Sequence, residues 1–246
     1  MLPDPTPPAS SSAAPPVLAA RVGALLEVII CSDYPTQFAT QFILVALFGM
    51  KAGPTLHIGF VVALSLVDTA MLLGLIALFL RVHGERPRDI FLGRRSVAVE
   101  AMRGVPLILV AIGIGAAVLL SVQHFAPWLH TVEQNPLQAL IRTPRDAWLF
   151  ALVVVVAGGV REEIQRAFLL HRFEVWLGGG GVGVVVTSAA FGLGHQLQGV
   201  DAIFATGLLG AFWGIVYLRR RSVVAPMVSH AGFDLLQITQ FLGAAR

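Results

Sequence analysis

Charge is what this sequence has least of. Of its 246 residues, 13% are Asp, Glu, Lys or Arg, against about a quarter in a soluble domain. With 56% hydrophobic residues and a mean hydropathy of +0.79, the chain reads as an integral membrane protein. Cysteine is almost missing as well. Cys31 stands alone, which excludes an internal disulfide and a cysteine-based metal cluster, so any metal would need His and carboxylate ligands. Lys51 is the one lysine, and the remaining basic residues are all arginine, a usage that points to a GC-rich bacterial genome. No basic residue precedes Arg21, so the n-region of a secretory signal peptide is absent. No HExxH occurs, which removes the usual single-helix zinc site.

What is present is a series of apolar runs. Residues 1–16, "MLPDPTPPASSSAAPP", hold six prolines and three serines, and a segment that poor in apolar surface is expected to be a disordered tail. Residues 17–246 then form a single integral membrane domain. A helix needs about 20 apolar residues to cross a hydrocarbon core of about 30 Å. Stretches near 56–81, 105–127 and 147–170 are clear spans, followed by three shorter ones near 183–198, 202–218 and 223–243. Residues 17–50 are a broken candidate, interrupted by "ICSDYPTQ". The expectation is an all-α polytopic transmembrane bundle of about seven or eight helices.

Arginine marks orientation, because cytoplasmic loops carry the excess of Lys and Arg. The segment from Arg81 to Arg103 and the triplet Arg219–Arg221 are separated by four spans, so both fall on one side. That side is expected to be cytoplasmic, the N-terminus with it, in the inner membrane of a bacterium. The basic segments are explained by topology and by attraction to anionic lipid; they do not call for a nucleic-acid partner. Gly178–Gly181 should end one long helix and turn the chain.

Ionisable groups inside a membrane are costly, so each needs a partner or a function. Glu162 and Glu163 follow the run "WLFALVVVVAG"; His195 sits in "SAAFGLGHQLQG"; His230 and Asp234 sit in "APMVSHAGFDLLQ". Helical rise of about 1.5 Å per residue lets all three clusters meet, and the expected spans put the meeting point in the cytoplasmic half of the bilayer. Residues three or four apart share a helix face. His230 and Asp234 can therefore enter one cavity, where the carboxylate would orient the imidazole. Arg166 can hold either Glu162 or Glu163. Two hydrolytic schemes fit these residue types: a glutamate acting as general base on water with histidines stabilising the oxyanion, or zinc held by His195, His230 and Glu162. The missing HExxH favours the scheme without metal or other cofactor.

In order, "EEIQRAFL", "FGLGH" and "HAGFD" resemble the three motifs of the CAAX protease and bacteriocin-processing (CPBP or Abi) family: Glu-Glu-x-x-x-Arg, Phe-x-x-x-His, and His-x-x-x-Asn or Asp. The resemblance covers about residues 145–243, the expected catalytic core. It implies an intramembrane endopeptidase related to CAAX prenyl endopeptidases, with an all-helical bundle and a cavity open to the cytoplasm and membrane. It further implies that Glu162 and His195 activate water, and that His230 and Asp234 stabilise the tetrahedral intermediate. Glu163 and Arg166 would support them. One departure stands out: Arg166 comes four residues after Glu162, where the family spaces its arginine by five. Aligned on the glutamates, Glu162 is the base; aligned on "RAFL", Arg161 takes that place and Glu163 becomes the substitute.

Other polar residues have plainer readings. Asp68 should bond Thr69 or another helix, Glu27 and Asp33 should sit at an interface or kink, and His171 should snorkel at a helix end. Gly207, Gly210 and Gly214 read as helix packing. Ser188 and Ser229 flank histidines without a nucleophile motif. The function expected is cleavage of a membrane-associated, lipidated or membrane-proximal peptide. The competing class is a non-catalytic immunity or scaffold protein that binds a partner in the same cavity.

Overall fold

A computed structural model describes residues 17–50, 57–133 and 135–244. The tail expected over residues 1–16 lies outside them. Among the described residues the chain is a helical bundle without strands, in line with the apolar runs.

The broken stretch resolves into α1 (Val17–Ile30) and α2 (Tyr34–Phe48). Asp33 lies between them with φ of 82°, a left-handed conformation that a non-glycine residue adopts only in special surroundings, and Pro35 opens α2, where its missing N–H costs least. The carbonyl left free by the break, that of Cys31, accepts from Gln165 Nε2 at 2.8 Å. α3 (Ile58–Val82), the short α4 (Pro87–Phe91) and α5 (Val97–Phe125) follow. A rod then runs from residue 144 to residue 176 as α6 (Pro144–Val153), a π-helical stretch (Val154–Glu162) and α7 (Glu163–Trp176). Thr143 caps it reciprocally with Asp146, satisfying two of the orphan donors of its first turn. α8 (Gly180–Gly194), α9 (Val200–Arg220) and α10 (Val224–Ala244) complete the bundle. Segments outnumber the seven or eight expected because the first span is broken, α4 is an extra short helix and the long rod changes its winding.

α3, α5 and α9 are each long and apolar enough to cross a membrane. Their outward residues are apolar, among them Met102, Leu109 and Leu120, each at least 64% exposed, as a surface facing lipid requires. Inside, Leu72, Ile76 and Leu80 of α3 pack on Phe168, Leu169 and Phe173 of α7. Gly178 and Gly179 turn the chain at φ of 103° and 97°. The glycines expected to mediate packing do so. A Cβ at Gly192 of α8 would meet the Ile203 carbonyl of α9 at 2.5 Å and the backbone of Gly207 at 3.2 Å, so only a glycine lets these helices approach so closely.

The two arginine clusters lie at one end of the bundle. Arg95 Nε donates to the Arg220 carbonyl at 2.6 Å, Arg220 Nε meets Glu100 Oε2 at 2.5 Å, and Val223 N donates to the Phe91 carbonyl at 2.8 Å. The loops 126–143 and 195–199 form the other end, with Trp128 and Trp148 exposed beside them, as aromatic belts are at membrane interfaces.

Candidate active site

The site is built on the π-helical stretch of the rod. A π turn carries i→i+5 hydrogen bonds and widens the helix, and such turns are frequent at functional sites. Here it contains the pair Gly158–Gly159. A Cβ at Gly159 would stand 2.6 Å from Ala231 Cβ, and one at Gly158 would stand 2.8 Å from Asp234 Oδ2. The absent side chains therefore let α10 lie directly on the rod, which sets His230 and Asp234 over Glu162 and Glu163.

The two glutamates divide their tasks by depth. Glu163 is 1% exposed; its Oε1 accepts from His230 Nδ1 at 2.8 Å and from Arg166 Nη1. The open choice of partner for Arg166 is thus settled by geometry in favour of Glu163. Arg166 also lies over the ring of Phe191 at 4.8 Å, a cation–π contact that holds the guanidinium from its other side. Glu162 is the glutamate that lines the cavity. Its Oε2 is 3.8 Å from His230 Nε2.

His230 is held on three sides. Trp213 stacks on it, with centroids 3.8 Å apart and planes at 17°, and Glu163 Oε1 accepts a hydrogen bond from Nδ1. This leaves Nε2 directed at Glu162 and Asp234. Asp234 Oδ2 stands 3.6 Å from Nε2, beyond a hydrogen bond. The expected orienting carboxylate is therefore not Asp234, four residues away on the same helix, but Glu163 from the rod, because the Nδ1 edge points across the helix interface.

His195 is placed differently from its expected position twelve residues into a span ending near 198. α8 stops at Gly194, and His195 is the first residue beyond it. Its Nδ1 is 2.9 Å from the Phe191 carbonyl, a bond that fixes the ring and leaves Nε2 free for chemistry. Glu162, His195, His230 and Asp234 all line one cavity of about 570 Å³, along with Arg161 and Trp213. Among the described residues, no cluster of three or more His, Cys, Asp or Glu is arranged to hold a metal ion.

One group of functional neighbours was not read as such from the sequence. Arg161 is 4% exposed and reaches Asp33 Oδ1 at 2.7 Å, Gln165 Oε1 at 3.3 Å and Glu162 Oε1 at 3.8 Å. Asp68, 1% exposed, lies beside Asp33, Thr36 and Arg161, and neither of its oxygens has a donor among the described residues. It does not bond Thr69, whose hydroxyl donates to the Ser65 carbonyl at 2.6 Å. The signal was available: an aspartate in an apolar run and another in a helix break both require a cation, and Arg161 is next to the candidate base. Glu27 instead takes Arg172 at 2.5 Å and His83 at 2.6 Å. His171 meets Glu85 at 3.0 Å, so it is paired as well as peripheral.

No curated protein and no solved structure matches the chain. The family model described as type II CAAX prenyl endopeptidase Rce1-like matches residues 144–236, the stretch from α6 into α10 that carries both glutamates, Arg166, both histidines and Asp234. That segment, less than half of the chain, is similar to the CAAX protease family of membrane endopeptidases.

Proposed function

We propose that the protein hydrolyses a peptide bond of a membrane-associated, membrane-proximal or lipidated substrate by direct attack of water. The observation that supports this most is the division between Glu162, which faces the cavity, and Glu163, which with Arg166 holds His230 from behind. Glu162 takes a proton from water, oriented by His195, as the oxygen bonds to the peptide carbonyl carbon. His230, whose Nδ1–H donates to Glu163, presents Nε2 to the oxyanion as an imidazolium, its charge offset by Asp234 and both glutamates. Collapse of the tetrahedral intermediate breaks the C–N bond, and the proton on Glu162 passes to the leaving amine. No covalent intermediate and no cofactor is required.

The test uses purified full-length protein in lipid with a peptide library. Glu162→Gln, His195→Ala and His230→Ala should each abolish cleavage, and a chelator should leave the parent unaffected. Full activity in one variant removes that residue from the scheme. Loss on chelation, restored by zinc, replaces the scheme by the metal-dependent one. A folded His195→Ala protein that restores the phenotype of a deletion strain would move the reading to non-catalytic binding.

A further inference from the structure

Glu162 stands between two nitrogen donors and bonds neither. Its Oε2 is 3.8 Å from His230 Nε2 and its Oε1 is 3.8 Å from Arg161 Nη2, both beyond hydrogen-bond distance. A carboxylate held in this way keeps its lone pairs for water. A buried guanidinium on the preceding residue would ordinarily close on such a neighbour with a fork of two bonds. Here it is held back.

The restraint comes from the break between α1 and α2. Asp33 Oδ1 lies 2.7 Å from Arg161 Nη1, and Gln165 Oε1 accepts from the same nitrogen at 3.3 Å. Asp68 of α3 is a further carboxylate beside it. Arg161 Nε has no acceptor among the described residues, so a freed side chain would gain by turning toward Glu162. The fork is thus divided: Nη1 is anchored on Asp33, and Nη2 faces the base.

Asp33 occupies this place in a strained conformation. Its φ of 82° and ψ of −38° lie outside the regions that a side chain favours, and such a conformation persists only where its surroundings over-determine it, most often at functional sites. The surroundings here do so. Thr36 Oγ1 donates to the Asp33 carbonyl at 3.0 Å, Gln37 Nε2 to Asp33 Oδ2 at 3.0 Å, Gln165 Nε2 to the Cys31 carbonyl at 2.8 Å, and the Tyr34 hydroxyl to the Ala190 carbonyl of α8 at 2.8 Å. The rod and α8 fix the break from two sides, and Gln37, which holds the second oxygen of Asp33, itself lines the cavity. Neutralising Arg161 alone would not call for a strained residue, since Asp68 is already beside it.

We propose that Asp33 and Arg161 are positioning residues for the hydrolysis: the aspartate anchors one arm of the guanidinium so that the other aims Glu162 without occupying it. This rests on the reading of Glu162 as the base.

Steady-state kinetics of the full-length protein in lipid, with a peptide that the parent cleaves, provide the test. Asp33→Asn keeps the shape of the side chain, and asparagine accepts a positive φ, so the fold should persist. Its kcat should fall about tenfold to a hundredfold, the scale at which partners that orient a catalytic group matter, with KM within about twofold of the parent. In the double variant Asp33→Asn, Arg161→Gln the loss should be no greater than with Arg161→Gln alone, because Asp33 acts through Arg161. Multiplied losses, or a folded Asp33→Asn protein with the parent's kcat, overturn the proposal. Should Asp33→Asn not fold, Arg161→Lys decides. An ammonium retains the charge and lacks the fork, so kcat should fall about tenfold or more at an unchanged thermal midpoint; full turnover overturns the proposal. Glu162→Gln is measured in the same series. An active Glu162→Gln protein removes the base and its positioning residues together, whereas an inactive one beside a fully active Asp33→Asn protein removes the positioning role alone.

Discussion

Glu162 and Glu163 are adjacent in the chain, and their surroundings separate what each can do. A general base contributes about 10²–10⁴-fold, so Glu162→Gln should lower kcat by that order with little change in KM. Glu163→Gln should lower kcat by about tenfold or more by freeing the His230 ring, since partners that orient a catalytic group typically matter at about that scale. An inactive Glu163→Gln protein beside an active Glu162→Gln one would reverse the two roles. Arg166→Ala leaves Glu163 buried without its cation; breaking a buried pair costs about 3–5 kcal/mol, and a clear fall in thermal midpoint should accompany lost activity. Asp68→Asn should behave oppositely. Its two carboxylate oxygens lack donors, beside Asp33, and an amide there can donate while removing a buried charge. The midpoint should hold or rise; a large drop would show that Asp68 is needed as an anion to retain Arg161.

At the scale of elements, the rod and α10 depend on close approach. Gly159→Ala places a methyl within contact of Ala231, whose own Cβ and backbone cannot swing away; overpacking of this kind costs about 1–3 kcal/mol. The His230 ring should shift with α10, so activity should fall more than stability, as parallel melting and turnover measurements would reveal. The ends of elements also set the pH response. Burial pushes the Glu85 carboxyl up, but hydrogen bonds from His171 and Arg172 outweigh it and hold Glu85 below the usual glutamate range. A depressed folded-state pKa gives stability that is present above the unfolded value of about 4.3 and lost as pH falls through the folded one. Thermal midpoints of Glu85→Gln should consequently decline less than those of the parent as pH is lowered below that value.

For the whole molecule, the apolar runs and the arginine clusters carried most of the architecture, because lipid imposes length and composition on every span. Three site clusters were legible because charges are rare enough in such a chain to be conspicuous. What was not legible depended on helix phase and helix ends. The π winding of Val154–Glu162 has no residue signature beyond its two glycines. The stop of α8 before His195 moved that histidine from mid-span to the cavity mouth. The union of Asp33, Asp68 and Arg161 joins the α1–α2 break to α3 and the rod, and no local pattern reports that.

The break between α1 and α2 also bears on how the protein can be divided. Residues 144–236 carry the proposed chemistry, yet the carboxylate closest to Arg161 comes from outside them, Asp33 at 2.7 Å. Cut free, that segment would bury Arg161 without this counter-ion, so it is not an autonomous unit. The N-terminal helices are in effect a detachable electrostatic half of the site. Coexpressed as a separate piece, residues 1–56 should restore to a chain beginning at residue 57 the activity that it lacks alone.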